Sequence, residues 1–283
     1  MPNSPEFVFP NWPAPANVKS LTTTRVGGSS HGPYASFNLG DHVGDDPEAV
    51  RHNRVRLRES LALPSEPAWL KQVHGVNVVD AASVNAGATA DGAWTGRPGV
   101  VCAVLTADCL PVFLCNRQGT KVALLHAGWR GLTAGVIEAG LRALATPGAE
   151  LLAWLGPAIG PDSYEVGNDV CDAFLAQDAG AAVCFHAHGA GRWRADLYAL
   201  ARRRLQAQGV NAIYGGNFCT LREHERFYSF RRAGMRQCRE RHDSRDGGGR
   251  ATQGAIAEDA ESDRRDGVTG RMASLIWLDI SAR

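Results

Sequence analysis

The sequence predicts an α/β fold, because short apolar runs at its centre resemble buried strands and helical apolar periods follow them. The two most apolar runs occupy residues 100–105 and 122–125, and each is nearly continuous. Such runs are typical of strands that are buried on both faces. Each run ends in a polar cluster: Thr106, Asp108 and Cys109 follow the first, and His126, Trp129 and Arg130 follow the second. Adjacent strands would bring these clusters to one edge of a sheet, where α/β proteins usually bind ligands.

Length and composition are those of an ordinary globular protein. The chain has 283 residues and a formal net charge of +1, which gives no general attraction to nucleic acid or to membranes. Residues 1–18 form an arm rich in proline and asparagine without the pattern of a secretory signal, and no run is long enough to span a bilayer. Seven cysteines without a CxxC pair favour a reduced, cytoplasmic protein.

The first predicted elements are a strand and a helix joined by a glycine loop. Residues 22–26 alternate weakly, as a strand does. The GGSSHG segment that follows could present Arg25 to an anion, and is equally consistent with a surface turn. Asp46 is expected to cap a helix that begins near Pro47 and ends by Pro64. Its inward apolar face is predicted to contain Val50, Val55, Leu57 and Leu61.

A second stretch leads to a histidine and an acid. Residues 68–73 are predicted to form a strand that leads into His74, and residues 76–79 continue in extended form. The ATADGAW segment places Asp91 beside Gly92 in a turn. Spacing leaves open whether Asp91 is a turn residue alone or lines a site.

Helices and strands alternate through the remaining chain. Helices are predicted over residues 132–145, 168–177 and 196–208, and strands over residues 151–155, 211–214 and 271–278. His186 and His188 form an HxH pair, which would bind a metal only if a third ligand were close. Residues 233–264 are rich in charged residues, glycine and serine, and almost free of large apolar residues. This composition cannot bury a core, so we predict a disordered insertion there.

Cys109, His126 and His74 are the candidate site residues. A thiolate beside an imidazole is a nucleophile pair, because the imidazole lowers the pKa of the thiol and accepts its proton. The same side chains suit zinc, and a catalytic zinc site usually has three protein ligands and one open position. The alternative is a small buried cysteine and a hydrogen-bonded core histidine. Glycines and charged residues beside both positions favour a functional interpretation.

Six ordered motifs resemble the bacterial YfiH family: KQVHG, TADCLPVFLCN, HAGWRG, GPAIGP…YEVG, CT…FYSFRR and TGRMASLIWL. The resemblance extends from about residue 18 to residue 278. Members were first described as multicopper polyphenol oxidases or laccases, and later as zinc-dependent purine nucleoside phosphorylases with adenosine deaminase and methylthioadenosine phosphorylase activity. The resemblance implies one domain of layered sheets and helices over residues 1–283, with an architecture related to that of cysteine hydrolases. The chain departs from the family pattern by its insertion after FYSFRR.

The resemblance also implies metal ligands at His74, Cys109 and His126, and one zinc ion per chain. These are the residues that the chemistry of the sequence selects. Zinc would activate a water for attack on C6 of adenosine, giving inosine. The signature of the usual zinc deaminases is missing from the sequence, so the acid or base must come from elsewhere, and Asp108 is the nearest candidate.

Phosphorolysis would need cationic donors near C1′ of the ribose. Arg130 with the helix that follows it, and Arg25 with its glycine loop, are the candidates. The expected partners are therefore purine nucleosides and phosphate. The chain is expected to be a monomer or a weak dimer.

Three alternatives stay open from the sequence. A metal-free hydrolase would use Cys109 as nucleophile and His126 as base, on an amide or a peptidoglycan-related substrate. A copper polyphenol oxidase is disfavoured, because a multicopper oxidase needs a larger histidine cluster than nine histidines without a recurring HxH pair provide. A zinc-stabilised binding module would need a fourth ligand, for which His42 and Cys115 are candidates.

Overall fold

Two β-sheets packed face to face form the centre of the molecule, and helices cover both outer faces. The computed structural model describes residues 4–235 and 268–280. The strands in these ranges are β1 (Phe7–Val8), β2 (Val18–Thr23), β3 (Val78–Asp80), β4 (Gly92–Thr95), β5 (Val101–Thr106), β6 (Leu110–Asn116), β7 (Val122–Ala127), β8 (Leu151–Leu155), β9 (Glu165–Gly167), β10 (Phe185–Ala187), β11 (Arg192–Ala195), β12 (Ala212–Gly215) and β13 (Met272–Leu278). The α-helices are α1 (Pro47–Ser60), α2 (Trp129–Ala134), α3 (Val136–Leu144), α4 (Asn168–Leu175) and α5 (Leu197–Ala207). Short 3₁₀-helices occupy Gly32–Tyr34, Gly148–Glu150 and Ala179–Cys184, and residues 230–235 are also helical.

The two large sheets differ in topology. The first sheet has the order β1-β2-β13-β5 and is antiparallel throughout. The second sheet has the order β12-β8-β6-β7-β4-β3, with antiparallel pairs at its centre and parallel pairs at both edges. A third, small antiparallel sheet has the order β10-β11-β9. The predicted α/β class is confirmed, although most strand pairs are antiparallel.

Strand β5 shows why the apolar runs are continuous. Successive side chains of a strand point to opposite faces. One set packs in the cluster that holds Leu57 of α1, and it contains Val101, Ala103 and Leu105. The other set faces the second sheet, and it contains Cys102 and Val104. Helices α2 to α5 cover the far side of the second sheet. Both faces of β5 are therefore apolar, and the layers run helix, sheet, sheet, helices.

Helix α1 begins as predicted but presents a different inner face. Asp46 accepts a hydrogen bond from the backbone N–H of Glu48, and Pro47 occupies the first turn. Leu57 is fully buried, whereas Val55 is 37% exposed. At about 100° per residue, Val55 is rotated roughly 160° from Leu57 around the helix axis. The prediction that Val55 faces inward is therefore wrong.

The predicted helix over residues 132–145 is two helices. Gly135 has φ +101° and ends α2, and α3 begins at the next residue. Glycine adopts this left-handed conformation without steric cost. Helix α2 also begins earlier than expected, with Gly128 as its N-cap, so Trp129 and Arg130 lie in its first turn.

The strand predicted over residues 68–73 is not continuous. Two isolated bridges replace it, from Ala68 to Cys102 and from Lys71 to Thr89. The side chain of Gln72 supplies a further link, because it accepts from the N–H of Leu105 at 2.7 Å and donates to the carbonyl of Leu105 at 2.9 Å. The Gln72 side chain therefore ties the segment that leads to His74 to strand β5.

The predicted terminal and inserted segments are only partly described. Strand β1 lies within the predicted arm, residues 1–18, whose first three residues lie outside the described residues. Most of the predicted insertion, residues 233–264, also lies outside them, but its first three residues, 233–235, are described and helical. Within the described ranges, every helix is too short or too polar to cross a membrane.

Candidate metal centre

The candidate centre lies where strand β7 ends and strand β6 begins. The two strands are antiparallel, with Leu110 opposite Ala127 and Pro111 opposite His126. Because Cys109 directly precedes β6, the same register brings its thiol to the His126 imidazole. From the sequence, the two side chains are expected to meet at the ends of two adjacent strands of one sheet. That route is wrong, since β5 and β7 belong to different sheets and the thiol lies at the start of β6.

His74 is held by a buried carboxylate. It lies in the loop before β3 with φ +59°, an uncommon conformation for a residue other than glycine. The carboxylate of Asp91, which is fully buried, accepts hydrogen bonds from the N–H groups of Val73 (3.2 Å), His74 (2.9 Å) and Gly75 (2.7 Å). Three successive N–H groups that converge on one anion form a nest, and this contact stabilises the left-handed residue.

The same carboxylate orients His126. Oδ1 of Asp91 lies 2.9 Å from Nδ1 of His126, and the His126 N–H donates to the Asp91 carbonyl at 2.7 Å. With Nδ1–H donated to the carboxylate, Nε2 is the atom left for a metal. Burial alone would raise the pKa of Asp91, but hydrogen bonds from His126 and Gly75 hold it below its usual value. Asp91 therefore fixes both histidines, and it is the residue whose role the sequence left open.

Three ligand atoms converge at this point. The ligand atoms of His74, Cys109 and His126 lie within 4.8 Å of one another, and Cys109 Sγ is 3.8 Å from His74 Nε2. His126 is buried, Cys109 is half-buried and His74 is exposed, so the cluster opens to solvent on the His74 side. In residues 4–235 and 268–280 this is the one group of three or more ligating side chains close enough to hold a metal ion.

Glycine at position 128 keeps the space between the ligands clear. A Cβ atom on Gly128 would lie 2.8 Å from His74 Cδ2 and 3.0 Å from Cys109 Sγ. Gly131 serves the packing of the same loop, because a Cβ there would lie 2.9 Å from the carbonyl oxygen of Gly75. The glycines of the HAGWRG motif thus permit both the cleft between the ligands and the close approach of helix α2.

The thiol and the imidazole share a proton. Burial would raise the pKa of Cys109, but the charge of His126 and hydrogen bonds from His126 and His74 lower it to about 6. Burial would lower the pKa of His126, whereas the Cys109 thiolate and the Asp91 carboxylate raise it to about 9. At neutral pH the pair is therefore a thiolate and an imidazolium. Such a pair can act as a nucleophile and base, or can bind a metal with release of the imidazolium proton.

Asp108, the predicted acid or base, anchors the turn that carries Cys109. Its backbone has φ +94°. Its Oδ1 accepts from the Thr220 hydroxyl at 2.6 Å, and its Oδ2 accepts from the Ser229 hydroxyl at 3.0 Å and the Arg231 N–H at 2.7 Å. These bonds join the TADC motif to the CT and FYSFRR motifs, which explains their occurrence together in one sequence.

The two arginines predicted to bind phosphate have different surroundings. Arg25 donates from Nε (2.9 Å) and Nη2 (2.6 Å) to the carbonyl of Ala35, and from Nη1 (3.1 Å) to that of His224. It thereby braces the glycine loop. Arg130 is exposed, and its guanidinium lies 4.5 Å from the ring centroid of Trp129.

The other candidate ligands lie outside the cluster. His186 and His188 are exposed, and His188 Nε2 lies 2.9 Å from Nη2 of Arg194. Cys115 is fully buried in the layer between the two large sheets. Neither it nor His42 joins the three ligands, so within the described part of the chain the cluster has three members.

Layered sheets and a His–Cys–His cluster backed by a carboxylate define an α/β protein with a candidate metal centre. The chain belongs to the YfiH family, and residues 19–240 match the family model described as multi-copper polyphenol oxidoreductase laccase. The purine nucleoside phosphorylase YfiH of Escherichia coli is 46% identical over 274 residues, which cover 96% of this chain and 99% of that protein. A purine nucleoside phosphorylase of Pseudomonas aeruginosa is 48% identical over 273 residues, which cover 96% and 98% of the two chains.

Solved structures agree with this assignment. Neisseria meningitidis protein NMB0706 superposes with a TM-score of 0.82 at 47% identity, over 96% of this chain and 99% of that chain. YlmD from Geobacillus stearothermophilus gives a TM-score of 0.78 at 27% identity, over 99% and 98%. The resemblance predicted from six motifs and the fold that it implied are confirmed.

Proposed function

We propose that this protein is a zinc-dependent purine nucleoside phosphorylase. The observation that carries the proposal is the cluster of His74, Cys109 and His126, which Asp91 orients. The substrate class is supported by the names of the relatives in E. coli and P. aeruginosa, which are purine nucleoside phosphorylases. The proposed substrates are adenosine, inosine, guanosine and methylthioadenosine, and adenosine is also deaminated to inosine. The described cysteines are all free thiols, which supports a reduced, cytoplasmic location.

The donor set fits zinc. Two imidazole nitrogens and a thiolate are ligands that zinc prefers. Gly128 leaves the space between them clear, and a carboxylate behind a ligating histidine is the usual partner at such centres. His74, Cys109 and His126 would hold the ion, which would supply Lewis acidity. The described cluster offers one His₂Cys set, whereas a multicopper oxidase needs further histidines.

The chain must bind the two substrates and protect the reaction from water. In phosphorolysis a phosphate oxygen bonds to C1′ of the ribose while the bond from C1′ to the purine nitrogen breaks, giving ribose 1-phosphate and the free base. The open side of the cluster, at His74, is where a nucleoside can enter. Arg130, in the first turn of α2, and Arg25, beside the glycine loop, are the proposed phosphate contacts, although the Arg25 guanidinium also donates to backbone carbonyls. Asp108 is proposed as the acid or base of deamination because it adjoins Cys109, although three hydrogen bonds already occupy its carboxylate.

Metal analysis combined with a phosphate-dependence assay tests the proposal. Protein purified without added metal should hold about one zinc per chain and release purine base from nucleosides in proportion to added phosphate. Cys109→Ala should lose both the zinc and the activity. Cys219→Ala is the matched control, since Cys219 is a partly buried thiol outside the cluster that is hydrogen bonded to Ser163. Full activity in zinc-free protein would contradict metal dependence, and zinc-loaded protein without nucleoside turnover would contradict the substrate class.

A metal-free thiol hydrolase is the second candidate. It is favoured by the lowered pKa of Cys109 and by the sequence of contacts from Cys109 to His126 to Asp91, which matches a nucleophile, a base and an orienting carboxylate. His74 lies only 3.8 Å from the thiol but plays no role in a thiol-hydrolase mechanism. The zinc-dependent enzyme, which uses all three side chains, is therefore preferred. Turnover of amide or peptidoglycan-related substrates that survives strong chelation and ends on thiol alkylation would establish the hydrolase instead.

A further inference from the structure

Arg271 is a positively charged residue beside the candidate metal centre, and it has no role in the mechanism proposed above. It directly precedes β13, whose first residue, Met272, pairs with Thr106 at the end of β5. The chain continues from Thr106 to Asp108 and Cys109. The antiparallel register therefore places Arg271 next to the turn that carries the thiol ligand.

The guanidinium of Arg271 is only partly occupied. Its Nη1 donates to the carbonyls of Thr269 (2.9 Å) and Gly270 (3.2 Å), both in its own loop. An arginine has five N–H donors in a planar fork. Among the described residues, no carboxylate lies within ion-pair distance of this guanidinium, and no acceptor is hydrogen bonded to its Nε or Nη2. Within the described part of the chain, one edge of the fork is thus without an acceptor, and the Phe230 ring centroid lies 6.0 Å from the guanidinium carbon.

The residues around Arg271 show that its guanidinium lies near the candidate metal centre. Burial lowers the pKa of Arg271, and the nearby negative charges of Cys109 and Asp108 oppose that effect. On its other side, Arg271 lies close enough to His42 to lower the pKa of that imidazole, after the larger effect of burial. Gly40 makes room for the side chain, because a Cβ there would lie 2.8 Å from Cγ of Arg271. The guanidinium therefore lies between the 40–42 loop and the turn of Asp108 and Cys109.

We propose that Arg271 binds the anionic co-substrate, inorganic phosphate, at the edge of the His74–Cys109–His126 cluster. This inference rests on the proposed function and adds Arg271 to the arginines that contact its phosphate. Asp108 does not neutralise Arg271 by direct pairing, because its oxygens accept from other donors. The guanidinium is partly buried and has no ion-pair partner among the described residues. A buried charge without a paired anion is unfavourable, and a phosphate dianion would neutralise it. The planar fork of arginine matches two phosphate oxygens, which a lysine cannot reproduce.

Phosphate binding to zinc-loaded protein tests the assignment. Arg271→Lys keeps the charge and removes the fork, so the dissociation constant and the KM for phosphate should rise about ten- to hundredfold. The KM for the nucleoside and the zinc content should stay the same. Arg142→Lys is the matched control, because Arg142 is exposed in the last turn of α3. Titration calorimetry with inorganic phosphate measures binding without turnover.

A second measurement does not depend on a folded variant. Phenylglyoxal modifies arginines, and bound phosphate should protect Arg271 but not Arg142 in the wild-type protein, as peptide mass spectrometry would show. Equal phosphate affinity in Arg271→Lys and wild type, or unprotected Arg271, would overturn the assignment. So would wild-type protein that binds no phosphate up to about 10 mM, above the usual range of KM values. Phosphate binding lost in Arg271→Lys, with no phosphorolysis of any nucleoside by wild type, would keep the anion site and reject the proposed function.

Discussion

This protein has two histidine pairs, one at the candidate metal centre and one on the surface of the small sheet, and their charged neighbours differ. His74 and His126 are far apart in sequence, yet their ring centroids are 4.8 Å apart. His186 and His188 are two residues apart, on and directly after the edge strand β10 of the small sheet, and both are exposed. The sequence motif is therefore a poor guide to which pair can hold a metal.

The charged groups beside the two pairs are arranged differently. A buried carboxylate, Asp91, contacts the backbone of His74 and the ring of His126. At the surface pair, Arg194 lies opposite His186 in the ladder and 2.9 Å from the ring of His188. Glu165 lies 3.6 Å from the same ring, but it is exposed to solvent in part and is also paired with Arg192 at 3.4 Å. A carboxylate behind an imidazole increases its basicity toward a metal, whereas a guanidinium repels a cation. The candidate metal centre also has a thiolate, Cys109, close to both histidines. Among the described residues, no thiolate is grouped with the surface pair.

The largest loss of zinc affinity is expected when the space between the candidate ligands is filled. In Gly128→Ala the new methyl group would overlap the His74 ring and the Cys109 sulfur, while the backbone φ of −66° suits alanine. Zinc affinity should fall by more than the roughly 10- to 100-fold that is typical of changes behind metal ligands. Competition titration with a chelator measures it.

Gly234→Ala is the control for this steric test, because in the described residues no atom outside its own helix and chain neighbours lies within 4 Å of a Cβ at Gly234. It should bind zinc as wild type does. Unchanged zinc affinity in Gly128→Ala would mean that the metal does not lie between His74 and Cys109.

Removing the charge behind the histidines should have the next largest effect. Asp91→Asn leaves one acceptor oxygen where three N–H groups and the His126 ring now donate. We expect zinc affinity to fall about 10- to 100-fold and stability to fall by about 1–3 kcal/mol. Chelator competition and thermal unfolding measure the two effects.

The matched control is Asp46→Asn at the N-cap of α1, where asparagine caps as well as aspartate does. It should change neither quantity. If Asp91→Asn kept full zinc affinity, the contrast with the surface pair would not depend on the carboxylate.

The protonation state of the Cys109–His126 pair should have a smaller effect on zinc affinity, and this effect should change gradually with pH. Between the Cys109 pKa of about 6 and the His126 pKa of about 9, the metal-free pair holds one proton, which a metal must displace from His126. Zinc affinity should therefore rise about tenfold per pH unit in this window and level off above it. Calorimetry at pH 8, in buffers of different ionisation enthalpy, should detect about one proton released per zinc. Release of no proton would show that Cys109 and Asp91 do not hold His126 charged.

The three candidate ligands could be selected from the sequence, whereas the contacts of Asp91 could not be predicted from it. Cys109, His126 and His74 carry side chains whose chemistry limits them to few roles, so their presence in glycine-flanked segments was informative. Asp91 sits in an Asp-Gly dipeptide, which any turn can contain. Its function arises from N–H groups of the His74 loop and from a ring on another strand, and these contacts exist only after folding.

The assignment of strands to the two large sheets also could not be predicted from the sequence. The continuous apolar run of β5 correctly indicated burial on both faces, but that pattern is the same whichever sheet contains the strand. Strand β5 pairs with β13, close to the chain's other end, through contacts such as Met272 with Thr106. The same long-range pairing brings Arg271 to the site, so no local pattern marked that residue.

The smallest effect is expected at the surface histidines, and it tests the comparison from the other side. Replacing both, in His186→Ala with His188→Ala, should leave the zinc content at about one per chain and zinc affinity within about twofold. The free energy of unfolding should change by no more than about 0.5 kcal/mol, as for most exposed positions. The reason is that Arg194 lies 2.9 Å from the His188 ring, and that Glu165, 3.6 Å from the same ring, is also paired with Arg192. Within the described residues these side chains do not form a group that could hold a metal ion. Metal analysis and chelator competition on the double variant measure this, with His74→Ala as the variant that should lose zinc. A second zinc bound by the wild type and lost in the double variant would show that a neighbouring arginine does not prevent a histidine pair from binding metal.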